Sequence, residues 1–353
     1  MTEVHQAVAE PTEALDAGTH VSAAARGSKT PELLLLLERY GLLLLLVIAV
    51  VIFSTVASSS QTFPTQANVA NIVGGQVVLG VVALGFTLPL IVGKLDLSVA
   101  SITGLASVGS AAAMSRFDAP LIVAIAVGIL IGTTVGVING LLVAYLNLDA
   151  IIITLAGTTI MTGLTQWYTK GLSINSGISK TLGDFGSLKW LGVPRITYML
   201  VIVLLVVWYL VEQTPFGKYL RMIGSNPNAA RLVGLSVERT IFRAFVLTGF
   251  LAGVAGVLLT ARTGGANPQD GPGLLLPALA AVFLGATTIQ PGRFNVVGTV
   301  LGVFVVAVVV SGLILSGVPP FVESLFNGGA LLAAVFLSRG LGRGRGGGGT
   351  VGS

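Results

Sequence analysis

Residues 119–143 read APLIVAIAVGILIGTTVGVINGLLV, twenty-five residues without one charged side chain. A helix crossing the ~30 Å hydrocarbon core of a bilayer needs about 20 predominantly apolar residues, and this stretch exceeds that. Gly128, Gly132, Gly136 and Gly140 recur every four residues within it. On a helix they form a smooth stripe along one face, where a second helix can approach closely. The stripe predicts tight packing inside a bundle, with the lining of a substrate path as the alternative. Gly249 with Gly253, and Gly298 with Gly302, repeat the same spacing.

The rest of the chain agrees with a membrane protein. Of 353 residues 54% are hydrophobic and 9% charged, against about 25% charged in a soluble domain. No cysteine is present, which excludes disulfides, Cys-ligated zinc and thiol catalysis. The histidines, His5 and His20, both lie in the polar N-terminal stretch. None is left in the apolar part for acid–base work or metal binding. These absences argue against an enzyme, and no metal site is expected. The net charge of +5 is read as a record of membrane orientation rather than of nucleic-acid binding.

The pattern predicts an all-α polytopic bundle of about ten spans, at 41–57, 69–92, 97–115, 119–143, 150–168, 197–212, 244–262, 274–289, 295–315 and 322–338. The segment 274–289 contains Pro277 and would be only about 24 Å long. The segment 97–115 follows its predecessor almost without a loop. Either could be broken or re-entrant, which is tolerated where backbone is buried or lines a cavity. Residues 1–38 are expected to be a cytoplasmic tail without fixed structure, 39–338 the transmembrane domain, and 339–353 a flexible basic cytoplasmic tail. With the N-terminus inside, thirteen of the nineteen Lys and Arg fall on the cytoplasmic side, as the positive-inside rule requires.

One stretch breaks the apolar pattern. GSNPNAARLVGL, residues 224–235, reads like a short water-soluble helix with both ends marked. Asn226 is a good N-cap, Pro227 falls at the first helical position, and Gly234 sits where a left-handed stop is wanted. A helix this short is unstable alone, so it needs something to pack against. Arg231, Leu232 and Leu235 are expected to form its packing side. It is either a cap folded back on the bundle or a docking element for a cytoplasmic protein.

Three stretches carry a family resemblance. Asn228-Ala229-Ala230, three residues, then Gly234 resembles the E-A-A-x-x-x-G loop of ABC importer permeases, with Asn228 where Glu is usual. Gly93 to Ser101, with Asp96, Leu97, Ser98 and Val99, resembles the G-G-x-D-L-S-V-G-S signature of ribose-type sugar permeases, departing at Lys94 and Ala100. PALAAVFLGATTIQPGRFNVVGTVLG, residues 277–302, is similar to that family's segment before its last two spans. The resemblance runs from about Asn68 to Leu337. It implies the permease subunit of an ATP-driven importer in a bacterial inner membrane, carrying a pentose or hexose. It further implies that residues 226–234 are a coupling helix seated on a separate ATPase subunit, which holds the ATP and Mg²⁺. A second permease and an extracytoplasmic sugar-binding protein complete the implied partners. The absence of a G-x-x-x-x-G-K-[ST] phosphate loop fits that division of labour.

Asp96 is expected to cap a helix beginning at Leu97, near the membrane edge, because an unpaired carboxylate at the centre costs several kcal/mol. Lys94 beside it would snorkel. Phe86, Asn139, Thr154, Thr158, Thr159, Gln166 and Trp167 are candidates for the translocation path, and helix packing explains each about as well. The long segment from Thr169 to Ile196 is a solvated connection or the contact for a binding protein. A branched-chain amino-acid or nucleoside permease would share this architecture. A secondary transporter would place acidic or basic groups inside its spans, and the long spans here carry almost none.

Overall fold

The computed structural model describes residues 32–56, 59–319 and 321–343. The tails expected at 1–38 and 339–353 lie outside the described residues, apart from the ends of the first and last helices. In chain order the helices are α1 (Glu32–Thr55), α2 (Gln66–Gly75), α3 (Val77–Ile91), α4 (Val99–Phe117), α5 (Leu121–Gly140), α6 (Ala150–Thr169) and α7 (Lys180–Ser187). Then come α8 (Arg195–Trp208), α9 (Pro215–Ser225), α10 (Pro227–Leu232), α11 (Val237–Thr263), α12 (Asp270–Gly273), α13 (Leu275–Gly285), α14 (Val296–Leu315) and α15 (Phe321–Arg343). The described strands are a two-residue hairpin, β1 (Lys189–Trp190) with β2 (Val193–Pro194). Six helical runs among the described residues are long and apolar enough to cross a membrane, with three shorter apolar helices beside them.

Glycine decides which helices touch. A Cβ on Gly132 would lie 2.4 Å from the Gly249 carbonyl oxygen and 2.6 Å from the Gly253 Cα. The stripe on α5 and the pair on α11 are thus two halves of one contact. In the same way Gly285 and Gly298 bring α13 against α14, where a Cβ on Gly302 would meet the Ala281 carbonyl at 2.0 Å. Packing at this distance gives dispersion contacts that lipid cannot match. Hydroxyls tie the helices further: Thr87 with Thr299 at 3.1 Å, Ser107 with Thr260 at 2.9 Å, and Thr248 donating to the Gly85 carbonyl at 2.9 Å. Every residue of α3 is buried, and α11 packs on α3, α4 and α5. Those two helices form the centre, while α1 lies at the edge with Phe53 seated on Gly312.

Several expected boundaries shift. The span 69–92 is two helices, interrupted at Gln76. The segment 97–115 is a full helix, about 28 Å long, that starts at Val99. Its Ser, Thr, Ala and Gly suit it to the interior, where almost all of it is buried. The segment 274–289 is the more broken one: α12 ends just before it at Gly273, α13 covers only Leu275–Gly285, and 286–295 leads on to α14. Pro277 is in the first turn of α13, where its missing N–H is harmless. The span 244–262 starts earlier, at Val237, so its first two turns carry Glu238, Arg239 and Arg243. α5 and α8 each end in a π-helical turn, Leu141–Tyr145 and Tyr209–Gln213.

Candidate functional site

Below α3 the chain does not leave the bundle. Gly93 turns it with φ +75°, a conformation that suits glycine, and residues 94–98 run back inward as an irregular strap that turns at Leu97 and Ser98 into α4. The strap is pinned to two helices. Leu97 N–H donates to Thr154 Oγ1 at 3.0 Å, and Thr158 Oγ1 donates to the Leu97 carbonyl at 3.0 Å. Thr154 and Thr158 lie in the second and third turns of α6. The strap therefore climbs alongside α6, and α4 begins inside the bundle.

Asp96 sits in this strap with 1% of its surface exposed. Its Oδ1 accepts from Ser98 N at 3.0 Å and from Ser98 Oγ at 2.5 Å. Asn139 of α5 completes the knot, its Nδ2 donating to Ser98 Oγ at 2.8 Å. Asp96 Oδ2 has no hydrogen-bond partner among the described residues. One expectation is corrected here. The helix starts at Val99 with Ser98 at its N-cap position, so Asp96 folds a local turn before the cap rather than capping Leu97. It is buried within the protein, at the level of the second turn of α6.

The short helix at 226–234 is built as its sequence signals. Asn226 Oδ1 accepts from Ala229 N at 3.0 Å, Pro227 occupies the first turn, and Gly234 has φ +84°. Its packing side differs from the expected one. Ala230 (2% exposed) faces the bundle and Leu235 packs on the core, whereas Leu232 is 89% exposed and Val233 66% exposed. Arg231 reaches back to Glu238 at 2.7 Å. The small Ala230 lets the helix lie close, and the turn at Gly234 returns the chain so that Leu235 points in.

Helix α9, which precedes it, has no counterpart among the expected spans. Its signal was Pro215 after Thr214 followed by Gly217, Leu220 and Ile223 at helical spacing, all buried. An ion pair between Arg221 and Glu212 holds it to the end of α8. At its far end a Cβ on Gly224 would lie 2.0 Å from the Ile91 carbonyl oxygen. The capped helix, α9, the end of α3 and the strap are consequently one contiguous set of contacts.

The structure divides the path candidates. Asn139, Thr154 and Thr158 join the signature residues Leu97 and Ser98, 41 to 61 residues apart in sequence but hydrogen-bonded in space. Phe86 is core, with 1% of its surface exposed. Gln166 and Thr159 are on the exposed side of α6, and Trp167 lines an apolar groove beside α4. The segment 169–196 is not a bare solvated connection. It holds α7, packed so closely on α11 that a Cβ on Gly186 would meet the Ala261 carbonyl at 1.9 Å, and the hairpin. Ile174 bridges to Ala266. Arg116 and Arg262 gather at this end of the bundle, whereas Lys94, Arg221 and Arg231 gather at the other.

Comparison with known proteins follows the same outline. The chain is 33% identical over 285 residues to the ribose import permease protein RbsC of Escherichia coli K12, covering 80% of this chain and 88% of that one. It is 35% identical over 286 residues to the RbsC of Bacillus subtilis strain 168, covering 80% and 88%. To the autoinducer 2 import system permease protein LsrD of Photorhabdus luminescens it is 30% identical over 263 residues, covering 73% and 78%. No solved structure matches it. Residues 68–335, from α2 into α15 and including both strap and capped helix, match the family described as the branched-chain amino acid transport system permease component, and the chain belongs to that family of membrane permeases.

Proposed function

We propose that this chain is the membrane-spanning subunit of an ATP-driven importer that carries a monosaccharide, a ribose-like pentose or a hexose, into a bacterial cell. The observation that carries the reading is the capped helix. It is folded by its own ends and held by Ala230, and it keeps Leu232 and Val233 turned away from the bundle. Burying such side chains on a partner would contribute roughly 1.5–3 kcal/mol each, so a protein surface is the natural cover. That partner is an ATPase subunit holding the ATP and Mg²⁺.

The contact chain from α10 through α9 to the strap gives a push at α10 a route to α4 and α6. Asn139, Thr154 and Thr158 serve in that route as pins of the strap. Gln166 and Thr159, exposed on α6, are the better candidates for cargo contact. A second permease would face this subunit across the path, and a sugar-binding protein would deliver cargo at the face formed by 169–196. The excess of Lys and Arg at the capped-helix end, thirteen of nineteen by the expected topology, supports an inner-membrane orientation with both termini cytoplasmic. The names of the relatives favour a sugar over a branched-chain amino acid or nucleoside, and the scarcity of charge inside the long spans weighs against ion-coupled transport.

Leu232→Asp tests the reading. The side chain is exposed, so the variant should insert and fold like the parent. Uptake of radiolabelled ribose or a panel of hexoses by cells should fall at least tenfold. Unchanged uptake of a sugar that the parent chain does carry would overturn the coupling assignment.

A further inference from the structure

An apolar groove runs along the outside of the bundle at the end opposite the capped helix, between α4, α5 and α6. Small residues of α4, Gly109 and Ala112 among them, form its floor, because α6 packs on α4 and hardly on α5. Val123 and Ile131 of α5 form one wall, and Leu164 and Trp167 of α6 the other. Its volume is about 490 Å³.

The length and lining suit an acyl chain. Along α4 the groove extends from Leu105 to Phe117, about 18 Å at 1.5 Å per residue. That is close to the depth of one leaflet, half of the ~30 Å core. An extended hydrocarbon chain lies along such a groove with apolar side chains on every wall. The walls offer nothing for a sugar's hydroxyls to bond.

The end of the groove supplies the second half of a lipid site. Arg116 lies over the Tyr168 ring at 4.4 Å and donates to the Tyr168 carbonyl at 3.3 Å. It forms no ion pair among the described residues, with nearby Asp118 or any other carboxylate. Trp167 is 77% exposed and Phe117 73% exposed, so aromatic side chains frame the same level. Aromatic residues favour the headgroup region, and a guanidinium suits a phosphodiester. We propose that this groove binds one phospholipid with an anionic headgroup, its acyl chain along α4 and its phosphodiester at Arg116.

Trp167 provides the reporter. With Trp190→Phe and Trp208→Phe it is the sole tryptophan in the chain. The full-length protein is reconstituted in phosphatidylcholine vesicles with increasing phosphatidylglycerol brominated on its acyl chains, a contact quencher. The expected result is saturable quenching, half-complete at a mole fraction at least fivefold below that for non-selective contact. Arg116→Gln should move that midpoint at least threefold toward the non-selective value. Val123→Phe, which fills the groove from a half-exposed position, should abolish the saturable part. Quenching that tracks the bulk mole fraction in the parent would overturn the proposal, as would saturable quenching that neither variant changes. Absence of quenching, with Leu164→Cys cross-linking two copies, would overturn it in favour of a second subunit.

Discussion

Buried polar groups and glycines do different work in this molecule, and the two can be separated one residue at a time. Asn139 donates to Ser98, which in turn holds Asp96. Replacing it by Ala should leave this buried knot short of a donor, at about 1–3 kcal/mol. Asn139→Ala should therefore lower the detergent-solubilised Tm by several degrees, and a Tm equal to the parent's would remove Asn139 from the strap's support. Gly132 tolerates no side chain, because even a methyl group meets the backbone of α11. Gly132→Ala should destabilise by roughly 1–3 kcal/mol through overpacking. Gly163→Ala, at a helix position with nothing within 4 Å, should be neutral or slightly stabilising in the same melt. Much of this was legible in the sequence. The spacing of Gly128 to Gly140 announced a close contact, but only the fold says that its partner is Gly249 and Gly253. Asp96 was legible as informative and illegible as to place, since nothing local in residues 93–98 reports that the strap turns inward.

At the scale of elements, the proposed coupling route is built of short pieces, α9, α10 and the strap, while much of the rest is long apolar helix. The helix α10 has six residues, too few to be stable unaided. Its stop depends on Gly234 at φ +84°, where a side chain costs about 1–2 kcal/mol. Gly234→Ala should thus fray α10 and raise hydrogen exchange at Ala230 to Leu235 while leaving α11 protected. Protection unchanged from the parent would show that packing alone sets this helix. Its caps were readable because they are local: Asn226, Pro227 and Gly234 act within one turn. Its orientation was not, because whether Leu232 or Ala230 faces the bundle depends on where α9 and α11 lie. The amphipathic spacing in α9 was present in the sequence but overshadowed by the apolar runs around it, and α7 was hidden by the polarity of 169–196. The shortness of α13 was legible in its short apolar run, whereas the break before it falls at Leu274 and not at Pro277; α4 is unbroken, its small polar residues packed against neighbouring helices.

For the whole molecule, the centre is α3 and α11, with the strap and the capped helix at one end and the folded 169–196 segment at the other. The apolar helices and their order were largely readable, because lipid enforces length and apolarity on a crossing. Pairing between helices was not, since glycine and hydroxyl contacts are specific only in three dimensions. On the proposed reading the energy for import comes from another chain, and the sequence here carries no phosphate loop. The most direct measurement is ATPase activity in material purified through a tag on this chain, gently extracted from its own host, alongside the Leu232→Asp variant. The account predicts hydrolysis residing on a distinct co-purifying subunit, lost from the preparation when Leu232 is changed. Recovery of the chain alone, under conditions that keep comparable importers assembled, would contradict it.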